Sequence, residues 1–126
     1  AKRSSAAFML DFGHSATAAI RMESFETGLG GSDGVVNVMG VRVPFHLAAT
    51  GEHWAWNAGA VFAAAAASGL DPRQVAETLR NVDAEAGRGR ALRVALPKGG
   101  HFTLLDDAYN ANPVSMAAAI ASLGSA

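Results

Sequence analysis

The stretch that most restricts how this 126-residue chain can fold is Phe102-Thr103-Leu104-Leu105-Asp106-Asp107-Ala108-Tyr109-Asn110-Ala111-Asn112-Pro113. An apolar, strand-forming run stops at two carboxylates, crosses a polar loop and meets Asn112-Pro113. Asparagine is a favoured helix N-cap. Proline suits the first helical position, where its missing N–H would have had no partner. Strand, loop and helix in that order form a repeating part of an α/β fold. In open α/β sheets, ligands gather at the carboxyl ends of strands, and a helix N-terminus favours anions. A carboxylate at such a strand end is well suited to hold ribose hydroxyls. Taken alone, the run also reads more simply as a polar turn with a cap.

The rest of the chain is consistent with the same class. Residues 7–12 form a short apolar run, expected as a buried strand, and residues 18–25 suggest another. The glycines of residues 28–34 predict a loop by composition. Residues 35–38 and 41–47 flank Met39-Gly40 and predict a β-hairpin. Thr50-Gly51-Glu52-His53 opens a long helix expected to run to about Ser68, with Gly69 as its stop. Asp71-Pro72 starts a second helix, expected to reach about Asn81. Residues 84–90 are small and glycine-rich and form the candidate domain boundary. Residues 92–96 and 102–105 predict strands around Pro97-Lys98-Gly99-Gly100, and a last helix is expected from Asn112-Pro113 to about Ser122. The expected fold is α/β in two structural units.

Composition excludes several alternatives. A net charge of −1 provides no basic field for nucleic acid or anionic lipid. With no cysteine there is neither a disulfide framework nor thiolate chemistry. Lys2-Arg3 followed by apolar residues 6–10 is too short for a secretory signal and is interrupted by Asp11. The alanine-rich residues 58–67 reach about half the ~20 residues a membrane span needs. A soluble, cytoplasmic protein is expected. The chain opens at Ala1-Lys2-Arg3 without Met and stops just past its last helix, so it is expected to be a segment of a longer protein.

The run Asp106-Asp107-Ala108-Tyr109-Asn110-Ala111-Asn112-Pro113 resembles the segment that opens the C-terminal domain in the Mur ligase family. The resemblance is to the branch that joins D-alanyl-D-alanine to UDP-N-acetylmuramoyl-tripeptide. Folylpolyglutamate synthases carry Asp-Gly-Ala-His-Asn-Pro at this place, and the ligase adding the third peptide residue carries a Tyr-Ala-His-Thr-Pro type. Gly51-Glu52-His53-Trp54-Ala55-Trp56-Asn57-Ala58 is similar to the family's Gly-x-His-Asn-x-x-Asn-Ala helix start, although Trp54 stands where many members have Asn. Ala86-Gly87-Arg88-Gly89-Arg90 resembles the Gly-Arg before the domain junction.

The resemblance implies the C-terminal part of a Mur-ligase central ATPase domain in residues 1–86. It implies the first strands and helix of a Rossmann-like C-terminal domain in residues 87–126. It assigns ATP contacts to Asn57 (adenine), Arg88 (phosphates, with Arg90 as the alternative), Asp107 (ribose), Tyr109 and Asn112. His53, four residues before Asn57 on the same helix face, is either a contact or a backbone cap. Trp54 and Trp56 read as packing residues. Asp106, on the other side of the strand from Asp107, is expected to bond backbone or a neighbouring cation.

No Gly-x-x-x-x-Gly-Lys-Ser/Thr occurs, and Lys2 and Lys98 are the only lysines. The phosphate loop and the Mg²⁺ ligands of such a ligase are therefore expected outside this chain, which alone should be inactive. The remaining histidines, His14, His46 and His101, lack metal-ligand spacing, and no metal site or catalytic residue is expected. The implied activity is an ATP-dependent amide ligation in peptidoglycan precursor synthesis. Two other readings stand beside it: a non-catalytic nucleotide-binding or interaction module derived from such a ligase, and a folylpolyglutamate-synthase-like ligase.

Overall fold

The computed structural model describes residues 9–28, 30–109 and 111–124. A four-stranded sheet, order β1-β2-β3-β4, contains Phe12–Gly13 (β1), Ile20–Gly28 (β2), Gly31–Val38 (β3) and Val41–Leu47 (β4). β1 runs parallel to β2, and the other pairs are antiparallel. The β3–β4 hairpin turns at Met39-Gly40 with φ of 49° and 93°, the double left-handed geometry that matches strand twist. Asn37 Oδ1 accepts from the Gly40 N–H at 2.8 Å and fixes the turn.

Period-two alternation sends Ile20, Met22, Val36, Val38, Val43, Phe45 and Leu47 to one face, all buried. Two helices cover that face, His53–Ala67 (α1) and Pro72–Leu79 (α2). α1 contributes Ala55, Ala58 and Phe62, and its small residues let the helix lie close to the sheet. Phe62, 1% exposed, meets Phe45 edge to face with ring centroids 5.5 Å apart. Asp71 caps α2 by accepting from the Arg73 N–H at 2.9 Å. On the sheet's outer face, Glu23 accepts from Arg42 Nε at 2.7 Å and also pairs with Arg21. The bond from Arg42 and the charges of both arginines hold the Glu23 carboxyl below its ordinary range despite some desolvation.

After α2 the chain passes Asp83, bridged to Ala48, and enters a separate two-stranded sheet. Its strands are Arg90–Ala95 (β5) and His101–Asp106 (β6), paired from Arg90↔Asp106 to Ala95↔His101. Pro113–Gly124 (α3) follows. Among the described residues the buried apolar core lies between Ile20 and Ala84, and β5, β6 and α3 contribute none of it. No helix among the described residues is long and apolar enough to cross a membrane.

Two expectations are corrected. The run 7–12 is not a buried strand in its described part: β1 is only Phe12–Gly13, Phe12 is 43% exposed, and residues 9–11 are not in a strand. Residues 7 and 8 lie outside the described residues. The glycine-rich residues 28–34 are mostly strand rather than loop: Gly28 ends β2, residues 31–34 belong to β3, Gly30 is in a turn, and Leu29 lies outside the described residues. Two of their glycines, Gly31 and Gly34, serve close packing. A Cβ on Gly34 would sit 2.5 Å from the Phe45 ring, and one on Gly31 would collide with the Leu47 carbonyl. Composition points to a turn where the real cause is a long-range approach.

Candidate functional site

A cavity of about 630 Å³ opens where α1, residues 87–89 and the start of α3 come together. That is in the usual range of about 300–1,000 Å³ for small-molecule sites. Its wall includes His53, Asn57, Arg88, Asp107, Tyr109 and Asn112, which come from three separate sequence motifs.

α1 supplies the first side of the cavity. Its N-cap is Glu52, which makes no side-chain cap bond, and His53 and Asn57 follow one turn apart and exposed. The His53 ring lies 5.5 Å from that of Trp54. Trp54 is half-buried, packs on the core and also lines the cavity. Its indole Nε1 is a buried donor without a partner among the described residues. A buried N–H left in that state costs about 1–3 kcal/mol, a loss that an acceptor brought in by a ligand could offset. Trp56 is 40% exposed and stands edge to face with His14 at 4.8 Å, away from the cavity wall.

The segment that holds this helix start is tied to the end of β2 and the start of β3 through hydroxyls. Thr27 Oγ1 accepts from the Gly51 N–H at 2.9 Å, and Thr50 Oγ1 donates to the Gly28 carbonyl at 2.8 Å. Buried Ser32 donates to the Ala49 carbonyl at 2.7 Å. These bonds fix where α1 begins and therefore where His53 and Asn57 stand.

The opposite side is built by the end of β6 and the residues after it. Asp106 Oδ2 accepts from the Gly87 N–H at 2.9 Å, and the Asp106 carbonyl accepts from the Gly89 N–H at 2.9 Å. Asp107, the next residue, faces the cavity instead. The two neighbouring carboxylates are thus divided between backbone and cavity, Asp106 as the last residue of β6 and Asp107 as the first residue after it. Of the two candidate arginines, Arg88 lines the cavity, whereas Arg90 points to Asp83 at 3.7 Å and is absent from the wall.

Asn112 caps α3. Its Oδ1 accepts from the Val114 and Ser115 N–H groups at 3.0 and 2.9 Å, leaving its amide nitrogen free of that task. Tyr109 is 70% exposed. The remaining wall, including Thr50, Leu105, Val114, Ser115, Ala118 and Ala119, was not foreseen from sequence. The last four share one side of α3 at helical spacing, a periodic signal that says nothing about what the face looks upon.

Among the described residues no group of three or more His, Asp or Glu side chains converges to hold a metal ion. The wall carries a carboxamide, a carboxylate and a guanidinium in Asn57, Asp107 and Arg88. A carboxamide can meet the donor and acceptor edge of a purine, a carboxylate suits vicinal hydroxyls, and a guanidinium suits phosphate oxygens.

Comparison with known proteins agrees in sequence and in fold. The chain is 38% identical over 98 residues to UDP-N-acetylmuramoyl-tripeptide–D-alanyl-D-alanine ligase of Treponema pallidum (strain Nichols), covering 78% of this chain and 19% of that protein. It superposes on MurF from Acinetobacter baumannii with a TM-score of 0.79 at 26% identity, covering 93% of this chain and 24% of that one. MurC from Thermotoga maritima shares the fold, with a TM-score of 0.74 at 22% identity over 90% of this chain and 26% of its own. No family model matches. The chain belongs to the Mur ligase family. Within that family its sequence similarity is to a D-alanyl-D-alanine-adding ligase, and it spans about a fifth to a quarter of these relatives' length.

Proposed function

We propose that the protein containing this chain is an ATP-dependent ligase that adds D-alanyl-D-alanine to UDP-N-acetylmuramoyl-tripeptide, and that this segment forms part of its nucleotide pocket. The observation that carries the reading is the meeting of Asn57, Arg88 and Asp107 in one cavity, from three motifs up to 50 residues apart. Residues 1–86 would belong to the central ATP-binding domain and residues 87–126 to the start of the C-terminal domain. The pocket would then form across their junction.

Asn57 would meet the adenine edge, Asp107 the ribose hydroxyls, and Arg88 the phosphates, with Tyr109 and Asn112 at the pocket's rim. When bound, ATP supplies the phosphoryl group that activates the peptide carboxylate for attack by the dipeptide amine, with Mg²⁺ as its counterion. The residues of this chain hold and orient the nucleotide. Closing the junction over it would exclude water from the phosphates. The rest of the ligation machinery would lie elsewhere in the longer protein.

The test uses the full-length protein with ATP, UDP-N-acetylmuramoyl-tripeptide and D-alanyl-D-alanine, following release of phosphate together with the ligated product. Product should form only when all three are present. Asn57→Ala should weaken ATP by about 1–3 kcal/mol, the cost of an unpaired buried base edge, and leave the KM for D-alanyl-D-alanine nearly unchanged. An unchanged KM for ATP would reduce Asn57 to a helix residue. Absence of product from the parent protein would remove the ligase reading.

A further inference from the structure

Arg88 is an awkward residue to use as a phosphate contact. It sits between two glycines in a segment without regular structure, and its side chain is 48% exposed. A long side chain on such a segment would sample many rotamers, and a flexible guanidinium loses entropy each time it binds. The structure supplies the missing restraint. The Arg88 guanidinium carbon lies 4.1 Å from the centroid of the Tyr109 ring, stacked on its face. Its Nε faces Glu85 at 3.4 Å.

The ring is in turn anchored through the backbone beneath it. Gly87 adopts a φ of 78°, and a Cβ there would lie 2.9 Å from the Tyr109 nitrogen, so only glycine permits this approach. The Tyr109 N–H donates to the Gly87 carbonyl at 3.0 Å, and the Gly87 N–H donates to Asp106 Oδ2. Gly89 is tied to the Asp106 carbonyl. Three hydrogen bonds therefore clasp residues 87–89 to residues 106–109, and the stacked pair rests on that clasp.

We propose that Tyr109 is a positioning residue. Its ring holds the Arg88 guanidinium over the cavity, so that affinity for the polyphosphate of a nucleoside triphosphate depends on a side chain that need not touch the nucleotide. This rests on the nucleotide-pocket reading above and changes the role of Tyr109 within it, from ligand contact to support. The phenol oxygen is not required, because the interaction is with the ring face. A flat aromatic should therefore serve, and a branched aliphatic of similar bulk should not.

Binding of ATP and of adenosine to the full-length protein, measured by calorimetry, tests this with four variants: Tyr109→Phe, Tyr109→Leu, Arg88→Gln and the Arg88→Gln/Tyr109→Leu pair. Tyr109→Leu should raise the Kd for ATP by about two- to fivefold, the range expected for an exposed cation–π contact. Tyr109→Phe should restore most of that loss. The Kd for adenosine should not move, which also reports that the pocket is still folded. In the Arg88→Gln background Tyr109→Leu should add nothing.

An equal loss for adenosine, or a full additional loss in the Arg88→Gln background, would show that Tyr109 meets the nucleotide directly and overturn the proposal. An ATP affinity unmoved by Tyr109→Leu would overturn it too. A parent protein that binds no ATP would instead sink the pocket reading itself, before any variant is made.

Discussion

Asp106 and Asp107 are adjacent and chemically identical, yet the structure gives them different tasks, and the difference can be measured at each site. Asp106 Oδ2 accepts from the N–H of buried Gly87 at 2.9 Å, a hydrogen bond to a charged acceptor. Such bonds contribute about 1.5–3 kcal/mol, against about 0.5–1.5 for neutral ones. Asp106→Asn keeps one acceptor oxygen at the same place, so the expected cost is the difference, about 1 kcal/mol. At about 1.4 kcal/mol per factor of ten, that corresponds to roughly fivefold faster exchange of the Gly87 amide if exchange follows local opening. ATP affinity should change by less than about twofold.

Asp107 faces the cavity and makes no such backbone bond among the described residues. Asp107→Asn should leave the Gly87 amide as protected as before and raise the Kd for ATP by about five- to tenfold, as charge-assisted bonds to ribose hydroxyls become neutral ones. Hydrogen exchange followed at Gly87, together with ATP titration of both variants, gives all four readings. The reasoning is refuted if the effects trade places, with Asp106→Asn costing ATP affinity and Asp107→Asn loosening Gly87. The strand would then present the opposite face to the ligand, and the assignments through Asn112 would shift by one residue.

Two further outcomes concern the scaffold. Phe62→Ala removes the largest fully buried side chain, at the contact between α1 and the sheet, and should cost about 3–5 kcal/mol in a denaturant titration. A cost under about 1 kcal/mol would mean that the core does not depend on Phe62. The Glu23 carboxyl is held below its ordinary pKa by Arg42 and Arg21, so its contribution to stability is present above that ordinary value and fades as pH falls through the lowered one. Glu23→Gln should therefore flatten the acid limb of the melting-temperature profile relative to the parent, and parallel profiles would show that the cluster contributes nothing.

Local chemistry was legible in the sequence wherever its cause was local. Asp71-Pro72 and Asn112-Pro113 read as helix starts because capping and a proline at the first position involve only residues within one turn, and both caps are made as expected. Met39-Gly40 read as a hairpin turn for the same reason. Asp106 and Asp107 do part company as alternation suggests, although β6 ends at Asp106 and the loop that begins at Asp107 sets the direction of the second carboxylate. What sequence misread was the later part of the glycine run 28–34, because Gly34 and Gly31 answer to the Phe45 ring and the Leu47 carbonyl, more than ten residues away along the chain and adjacent only in the folded sheet.

Register favoured Arg88 over Arg90, but which of the two lines the cavity was decided only in the folded chain. Both follow a glycine, and only the clasp of Gly87 and Gly89 to Asp106 turns one toward the cavity and leaves the other to Asp83. The cavity itself was decided by tertiary structure, because Thr50, Trp54 and the Val114, Ser115, Ala118 and Ala119 face of α3 acquire a shared role only when distant segments meet. Periodicity can mark a face of a helix, but what that face meets depends on contacts between segments far apart in sequence.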